Sequence, residues 1–430
     1  MPSIVILGAG AMGLAAAQRA ATLGADVELI EADREPGGMA AHLDLGGVSI
    51  ERFYHFVCKS DEPTFSLLRE LGLGDAMRWV PTSMAYFMRG GLHRWGDPVS
   101  LLRFPHLSWA AKFRTGLQMF LTTKQNDFSA IERLTARQWI EAGSGREVYD
   151  TLWKRLMALK FYEHADHVSA SWIATRVRRI GRSRRSIFQE ELGHIEGGSQ
   201  TLVDALMADI TGKGGRVALG EPAAQVLTEA GRVTGVRTAA GREVPADHVI
   251  STVPTPLIPR LVPDLPEALR AQYAAIENIG VCCVLLRLKR RVTPHFWVNI
   301  VEDDIPIPGI IEFSNLRPAA GEDAIVYVPY YMPVTQPRWG WSDEELIAES
   351  LACIARVNPA VTRADLVEAR VGRLRHAQPV CGPNFLDTLP PVQTPIFGLQ
   401  IADTCYYYPE DRGIAESIRL GRRMAEDACN

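Results

Sequence analysis

The sequence predicts an α/β protein in which a parallel β-sheet domain is interrupted by a second domain of the α+β class. Two observations predict this fold class. Residues 4–31 read as a strand, a glycine-rich turn, a helix and a second strand, which is the pattern of a parallel sheet with crossover helices. Residues 397–428 read as a short buried strand followed by a helix. The long stretches between these units do not continue the pattern, which indicates an inserted domain.

The first unit is built around three glycines. An apolar strand runs directly into the turn, and a helix of small residues follows from 14 to 23. Gly8 permits the tight turn, and Gly10 leaves room for a pyrophosphate where a Cβ would stand. Gly13 lets the helix lie close to the strand. The second strand ends on Glu31, whose carboxylate can accept hydrogen bonds from ribose hydroxyls. Together with the free N–H groups of the helix N-terminus, this context predicts dinucleotide binding.

The residues after Glu31 indicate which dinucleotide is bound. The segment 32–40 contains Pro36-Gly37-Gly38, and a second glycine pair just past the ribose acid resembles the extended fingerprint of FAD-binding proteins of the glutathione-reductase type. In that family the Gly-Gly loop lies along the flavin diphosphate and ribityl chain. Taken alone, the segment also fits an ordinary Pro-Gly-Gly surface turn.

The C-terminal unit supports the FAD interpretation. The strand 397–403 ends on Asp403, and Arg412-Gly413-Ile414 opens a helix that continues to Ala428. This arrangement is similar to the closing motif of the same flavoproteins, except that Ala402 replaces the usual glycine. The resemblance implies FAD as the cofactor, with an expected set of contacts: Gly8, Gly10, Ala11, Met12, Gly13, Glu31, Ala32, Arg34, Gly38, Met39, Ala223, Thr252, Asp403, Gly413 and Ile414.

A third piece of the same domain lies in the middle of the chain. Short strands with a turn at Gly231-Arg232 precede a buried strand that ends in Ser251-Thr252-Val253-Pro254. In the resembled family, the backbone at the position of Ala223 touches the adenine. A plain β-meander would be compatible with the same assignment.

Composition excludes several function classes. The chain has 430 residues, 47% hydrophobic and 22% charged, with a net charge of −4, which is typical of a globular protein and argues against a general nucleic-acid binder. We find no apolar run long enough to span a bilayer and no N-terminal signal. Seven scattered cysteines form no CxxC pair, so we expect buried free thiols, no metal and a cytoplasmic location.

The predicted division of the chain has two interleaved domains. The FAD-binding domain is expected at 1–80, 190–262 and 385–430, and the substrate domain at 81–189 and 263–384. This interleaving resembles the protoporphyrinogen oxidase, phytoene desaturase and amine oxidase superfamily, in which a sheet-plus-helix domain is inserted twice. The resemblance implies a glutathione-reductase-type FAD-binding Rossmann-like domain with an inserted α+β substrate domain.

A local resemblance indicates one catalytic candidate. Phe53-Tyr54-His55-Phe56, followed by Ser60-Asp61, looks like the segment of UDP-galactopyranose mutases in which a histidine lies over the flavin. The resemblance implies that His55 bonds the flavin or steers a sugar hydroxyl. The alternative is a histidine at a strand end that is satisfied by backbone groups.

An arginine cluster is the main candidate for substrate binding: Arg176, Arg178, Arg179, Arg182, Arg184 and Arg185. Guanidinium groups suit phosphate, and a nucleotide- or polyprenyl-linked sugar would place a diphosphate there, with Arg176 and Arg179 as the expected contacts. Two alternatives stay open at this point, namely a solvated helix face and contact with an anionic membrane surface.

Aromatic residues supply the remaining candidates. Tyr406, Tyr407 and Tyr408 follow Asp403, and in the resembled family this loop borders the flavin, so Tyr407 is expected to be catalytic and Tyr406 to contact substrate. Tyr327 is expected on the opposite wall. The lysine that many amine oxidases carry on an early substrate-domain strand has no counterpart in 279–284, which argues against an amine substrate.

Two functions compete at this stage. The first is an FAD-dependent oxidoreductase that removes a hydride from an organic small molecule, with an activated, nucleotide- or lipid-linked sugar as one candidate. The second is a non-redox sugar isomerase that resembles UDP-galactopyranose mutase. A flavin-bound protein without turnover is a third class. The sequence predicts no nucleic-acid partner, allows peripheral membrane contact and leaves the oligomeric state open.

Overall fold

The computed structural model describes residues 2–318 and 323–430. Within these residues the strands are, in chain order, β1 Ser3–Leu7, β2 Asp26–Ile30, β3 His42–Asp44, β4 Ser49–Glu51, β5 Met77–Thr82, β6 Met84–Met88, β7 Gly91–Trp95, β8 Arg184–Ser186, β9 Gln189–Ile195, β10 Arg216–Ala218, β11 Ala223–Glu229, β12 Arg232–Thr238, β13 Glu243–Pro245, β14 His248–Ser251, β15 Asn278–Leu288, β16 Trp297–Ile300, β17 Gly309–Glu312, β18 Ala324–Met332, β19 Leu366–Pro379 and β20 Leu399–Ile401.

The α-helices of the same described ranges are α1 Ala11–Thr22, α2 Glu62–Glu70, α3 Pro98–Arg103, α4 Trp109–Lys124, α5 Ala136–Gly143, α6 Arg146–Val148, α7 Lys154–Phe161, α8 Ala170–Arg182, α9 Ser199–Gly212, α10 Ile258–Leu261, α11 Glu267–Ala274, α12 Asp343–Val357 and α13 Ile414–Cys429. A π-helical segment, Tyr149–Trp153, joins α6 to α7.

A five-stranded parallel sheet is the centre of one part of the molecule, and its strands come from the beginning, middle and end of the chain. Its strand order is β10-β2-β1-β14-β20, and every pair in it is parallel. Because β1 lies at its centre, the glycine turn after β1 opens at the carboxyl edge of the sheet, where α/β proteins bind their ligands. Helices α1 and α13 pack so closely that a Cβ at Gly421 would collide with the Met12 carbonyl.

A seven-stranded sheet of order β19-β15-β18-β17-β16-β6-β7 forms the second half. Strands β6 and β7 come from the first long intervening stretch, and the other five come from the second. The only parallel pair in this sheet, among the residues described, joins these two groups through β16 and β6. The predicted α/β fold class with a second α+β part is confirmed.

Local signals place several element boundaries. The start of α12 at Ser342 has a full capping box, since the Ser342 hydroxyl accepts the Glu345 N–H at 3.2 Å and the Glu345 carboxylate accepts the Ser342 N–H at 2.8 Å. The predicted turn at Gly231 joins β11 to β12. The seven cysteines are free, and six of them are buried.

Candidate functional site

A cavity of about 830 Å³ runs from the glycine turn to the seven-stranded sheet. Its volume lies in the range typical of small-molecule and cofactor sites. The part near the parallel sheet is lined by backbone and small side chains from the turns after β1, β2 and β14 and from the start of α13. The part near the seven-stranded sheet is lined mainly by aromatic and aliphatic side chains of α7, α8, β15 and β18.

The glycine turn has the geometry that its sequence predicts. Gly8 has φ +101°, and a Cβ there would lie 2.5 Å from the Thr252 hydroxyl oxygen. Thr252 supports the turn by donating its hydroxyl proton to the Leu7 carbonyl at 2.8 Å. A Cβ on Gly13 would collide with the Gly8 carbonyl, whereas a Cβ on Gly10 would meet no protein atom within 4 Å. Gly10 therefore faces open space in the cavity, and Gly13 serves close packing.

Glu31 holds the turn from the end of β2. Its carboxylate accepts the Ala9 N–H at 2.5 Å and the Asp33 N–H at 2.7 Å. Glu31 and the neighbouring Ala32 line the cavity, and each carboxylate oxygen keeps a further lone pair for another donor. Arg34 is exposed and does not line the cavity.

The second glycine loop lies directly against the first. The Gly37 N–H donates to the Ala9 carbonyl at 2.7 Å, and a Cβ on Gly38 would lie 3.1 Å from the Gly10 Cα. Gly38 and Met39 line the cavity beside Ala11 and Met12. The Gly37-Gly38 pair is thus part of the cavity wall, not a surface turn remote from it.

The C-terminal unit closes the same part of the cavity. Asp403 accepts the Thr255 N–H and hydroxyl at 2.6 and 2.9 Å and the Cys405 N–H at 2.9 Å. Gly413 and Ile414 begin α13 at the cavity wall.

Two helix N-termini, those of α1 and α13, therefore face one cavity, and neither has a side-chain cap. Free N–H groups at helix N-termini favour anionic ligands such as a diphosphate. At the far end, Pro222, Ala223 and Ala239 form an apolar wall suited to a flat base. These residues fit FAD.

A polar network stands at the other end of the cavity. The Arg412 guanidinium donates to the Tyr331 hydroxyl at 2.9 Å and also to the Ala377 carbonyl. The Tyr331 hydroxyl lies 3.0 Å from the Tyr54 hydroxyl. Burial raises the pKa of Tyr54 well above its usual range, so this hydroxyl stays protonated. The network places a cation and two hydroxyls in a wall that is mostly aromatic and aliphatic.

Lys160 of α7 lies beside this network. Its ammonium nitrogen is 4.8 Å from the centre of the Tyr331 ring and 4.9 Å from that of Trp172. Burial, reinforced by the positive charge of Arg176, lowers the pKa of Lys160 well below its usual range. For the neighbouring Asp411, burial alone would raise the pKa, but Arg176 and Lys160 outweigh it and lower the pKa to about 2.

His55 also lines the cavity. Its Nδ1 lies 2.7 Å from the Phe53 carbonyl, which can only accept, so Nδ1 carries the proton. Burial lowers the pKa of His55 and favours the neutral ring. Nε2 is then an unprotonated acceptor, and it has no hydrogen-bond partner among the residues the structure describes.

The family assignment follows from the sequence model of the flavin-containing amine oxidoreductases, which matches residues 13–385. The chain belongs to this family. It is therefore an FAD-dependent oxidoreductase, and the superfamily resemblance seen in the sequence is confirmed.

Two curated relatives match shorter segments of this flavoenzyme. Protoporphyrinogen oxidase 2 of Arabidopsis thaliana is 28% identical over 156 residues, which cover 35% of this chain and 30% of that protein. Hydroxyneurosporene desaturase of Cereibacter sphaeroides is 45% identical over 56 residues, which cover 13% of this chain and 11% of that protein. The matched segments span no more than about a third of either relative.

Solved structures match over nearly the whole length. A candidate protoporphyrinogen oxidase from Exiguobacterium sp. 255-15 has a TM-score of 0.77 at 18% identity, covering 100% of this chain and 98% of that one. Reduced UDP-galactopyranose mutase has a TM-score of 0.76 at 16% identity, covering 99% and 93%. Wild-type putrescine oxidase with putrescine has a TM-score of 0.70 at 17% identity, covering 99% and 98%. At these identities the matches establish the fold alone.

Three tyrosines that the sequence analysis expected at the site make hydrogen bonds within the protein, and only Tyr407 of these three lines the cavity. The Tyr407 hydroxyl donates to Ser417 at 2.8 Å, and Ser417 donates to the Gly413 carbonyl, so Tyr407 supports the start of α13. Tyr406 donates to the Pro390 carbonyl at 2.9 Å, and Tyr327 donates to the Glu51 carbonyl at 2.7 Å. Tyr406 and Tyr327 do not line the cavity, so their expected contact with substrate has no support from the cavity and stays a prediction.

The arginine cluster is divided by the fold. Arg176 and Arg179 line the cavity, but each already has a carboxylate partner, Asp411 and Asp61 respectively. Arg178 pairs with Glu410. Beyond α8, Arg184 and Arg185 belong to β8. The six arginines therefore do not form one free surface, and phosphate binding by Arg176 and Arg179 stays a prediction.

Sequence reasoning did not assign Arg412, Lys160, Asp411 or Tyr54 to the site. Arg412 stands directly before the recognised Gly413, so the closing motif was a signal that could have found it. Lys160 has no local signal, because only tertiary packing places it under Tyr331. Within the described residues, no group of His, Cys, Asp or Glu is arranged to hold a metal, and none of the described helices has both the length and the apolar character to cross a membrane.

Proposed function

We propose that this flavoenzyme removes a hydride from a C–H bond of a largely apolar substrate that carries one anionic or oxygen-rich group. The observation that carries the proposal is the polar network of Arg412, Tyr331 and Tyr54 in an apolar wall. The other side chains around this part of the cavity are mostly aromatic or aliphatic: Trp153, Leu156, Met157, Phe161, Trp172, Ile173, Val281, Trp297, Pro329 and Leu374.

For the cofactor, we propose that the diphosphate of FAD lies at the N-terminus of α1 over Gly10, and that Glu31 accepts hydrogen bonds from the adenosine ribose. The Gly37-Gly38 loop and Asp403 with the start of α13 would hold the ribityl chain, and Ala223 the adenine. When bound, FAD supplies the hydride acceptor. The division into an FAD-binding domain at 1–80, 190–262 and 385–430 and a substrate domain at 81–189 and 263–384 is part of this proposal.

For the substrate, we assign anchoring to Arg412 and the two tyrosine hydroxyls. Arg412 has no carboxylate within ion-pair distance among the described residues, unlike Arg176 and Arg179, so its charge is available to an anionic group. Such a charge-assisted bond is worth about 1.5–3 kcal/mol. His55 Nε2 is an unprotonated acceptor at the cavity wall and is the candidate to take a proton from a substrate hydroxyl.

Of the two activated sugars that the sequence suggests, the apolar lining favours the lipid-linked one. A nucleotide would need polar partners for its base and sugar, and the aromatic and aliphatic walls offer few of them. A polyprenyl chain would instead gain from burial against these walls, at about 25 cal/mol per Å² of apolar surface. The free cysteines are compatible with a cytoplasmic location.

The alternative is a sugar isomerase that works without net electron flow. The observation that supports this alternative is the position of His55 in the cavity, since the sequence around His55 resembles the mutase segment. A redox enzyme bleaches its oxidised flavin when substrate is added anaerobically and recovers its absorbance in air. An isomerase acts only after the flavin has been reduced chemically and consumes no oxidant.

The test is anaerobic titration of the yellow enzyme with a polyprenyl-phosphate sugar and, in parallel, with a nucleotide sugar. We expect the absorbance of the oxidised flavin to bleach with the lipid-linked compound only. Arg412→Met should raise KM at least about 10-fold and leave flavin content unchanged. The matched control is Arg423→Met, an exposed residue of α13, the helix that follows Arg412. Bleaching by the nucleotide sugar alone, or an unchanged KM in Arg412→Met, would contradict the proposal.

A further inference from the structure

Helix α4 carries an apolar face that points to solvent. Trp109, Phe113 and Phe120 are 71%, 73% and 59% exposed, and Leu117 and Leu121 are also exposed. Their spacing of three and four residues places them on one side of the helix. In a globular protein such a stripe normally faces the core. Its exposure indicates that this side of the helix contacts an apolar partner or a membrane.

Two neighbouring segments extend this surface. In α3, Val99 and Leu102 are exposed, and at the turn between β8 and β9, Ile187 and Phe188 are exposed, Ile187 to 67%. We call these residues, with those of α4, the apolar face: Val99, Leu102, Trp109, Phe113, Leu117, Phe120, Leu121, Ile187 and Phe188.

Hydrogen bonds hold the three segments of the apolar face together. Lys112 of α4 donates to the Leu102 carbonyl of α3 at 2.8 Å. Arg182, just before β8, donates to the Thr123 carbonyl at the end of α4 at 2.8 Å. Arg184 of β8 donates to the Gly96 carbonyl just before α3. The exposed side chains therefore belong to one continuous region of the surface.

The charge of these segments has one sign. Residues 98–126 contain four basic side chains and no acidic one, and residues 182–188 contain three basic side chains and no acidic one, although the chain as a whole has a net charge of −4. Arg103, Arg114, Lys124 and Arg185 are exposed. The apolar face is thus bordered mainly by positive charge in a protein with a net negative charge. The acidic groups beside it are already hydrogen-bonded: Glu147 accepts from Ser108 at the start of α4, and Asp97 caps α3.

We propose that the apolar face docks on the surface of an anionic lipid bilayer, with α4 lying in the plane of the interface. An exposed apolar stripe flanked by lysine and arginine is the pattern of helices that insert one side at the headgroup level, and anionic lipids attract the basic border. A second copy of the chain is a poorer occupant, because two such faces would bring like charges together. The proposal does not depend on which substrate the enzyme oxidises.

The experiment is sedimentation of the holoenzyme with two kinds of vesicle, one of phosphatidylcholine alone and one that also contains about 30% phosphatidylglycerol. The anionic lipid gives the vesicle surface a negative potential. We expect binding to the anionic vesicles, weaker binding at high salt, and little binding to the neutral ones. Phe113→Ser/Phe120→Ser should reduce the partition coefficient at least about 10-fold. The matched control Leu23→Ser/Leu386→Ser changes exposed apolar residues outside the apolar face and should bind as the wild type does.

Charge-reversal variants separate the electrostatic contribution to vesicle binding from the apolar one. Arg103→Glu/Lys124→Glu should abolish the preference for anionic vesicles, whereas Arg133→Glu/Arg363→Glu, which changes exposed arginines elsewhere, should retain it. Flavin content reports whether each variant is folded. Three results would overturn the proposal: no vesicle binding by the wild type, equal binding by the face variants, or a concentration-dependent dimer that Phe113→Ser/Phe120→Ser dissociates, which would assign the apolar face to a second copy.

Discussion

Arg179 binds Asp61 in a bidentate pair through one edge of its guanidinium, from Nε to Oδ1 at 3.1 Å and from Nη2 to Oδ2 at 2.7 Å. Arg179 belongs to α8 and lines the cavity, whereas Asp61 follows the segment of His55. The same carboxylate accepts the Cys58 N–H at 2.9 Å. The pair therefore fastens α8 to the chain that carries His55, and this interaction uses a guanidinium that the sequence had suggested for phosphate.

Removing one member of this pair should destabilise the enzyme. Arg179→Ala leaves the buried Asp61 carboxylate without its partner, and we expect a loss of about 3 kcal/mol in the free energy of unfolding. Arg179→Ala/Asp61→Asn should recover a large part of that loss. Urea denaturation of the four proteins of the cycle measures the coupling. Additive losses would show that the pair contributes nothing specific.

The glycine turn gives a prediction about cofactor binding. A valine at Gly10 would meet no protein atom within 4 Å at its Cβ, so Gly10→Val should fold and yet lose FAD. Glu31→Ala should weaken FAD binding by roughly 1–3 kcal/mol. Flavin absorbance after dialysis is the measurement. Gly340→Val, at another glycine whose Cβ would meet open space, is the control and should stay yellow. Full occupancy in Gly10→Val would show that the turn does not hold the diphosphate.

The buried carboxyl of Glu312 predicts a pH dependence of stability. Burial raises its pKa to about 7, although the Val292 and Thr293 N–H groups oppose this. Between about pH 4.5 and 7 the folded protein keeps a proton that the unfolded chain releases, so stability falls as the pH rises through this window. The shift corresponds to about 3 kcal/mol. Glu312→Gln should abolish this fall, whereas the exposed control Glu344→Gln should keep it.

The lowered pKa of Lys160 predicts a pH dependence of stability with the opposite sign. Its pKa is lowered by burial and by Arg176, so between that lowered value and the ordinary 10.5 the unfolded chain binds the extra proton. Stability should therefore rise with pH across this window. Lys160→Met should flatten the rise and be more stable than the wild type at its lower end. The test is the free energy of unfolding in urea, measured between about pH 6 and pH 10. The surface variant Lys213→Met is the control.

Substitutions at Tyr407 and His55 should distinguish a residue that supports the fold from one that takes part in catalysis. Because its hydroxyl is bonded to Ser417, Tyr407→Phe should cost about 1 kcal/mol in stability and leave kcat nearly unchanged. His55→Gln, in contrast, should lower kcat about 10²-fold or more if Nε2 takes the substrate proton. Steady-state kinetics of both variants at equal flavin content distinguishes the roles. A large kcat loss in Tyr407→Phe would restore the catalytic assignment made from the sequence.

The sequence by itself determined the features that depend on short stretches of chain. Gly8, Gly10 and Gly13 occur within one turn, so their spacing indicated a parallel sheet and a dinucleotide. Asp403 and Gly413 flank one loop, and the resemblance of both motifs to those of flavoproteins implied FAD. Tertiary structure decided the substrate half of the cavity. Arg412, Tyr331 and Tyr54 meet from three distant segments, and α8 brings its arginines to acidic partners that no local pattern predicts. The apolar stripe of α4 shows the same limit, because periodicity predicts a helix with one apolar side, and only the packing of the remaining chain decides whether that side is buried.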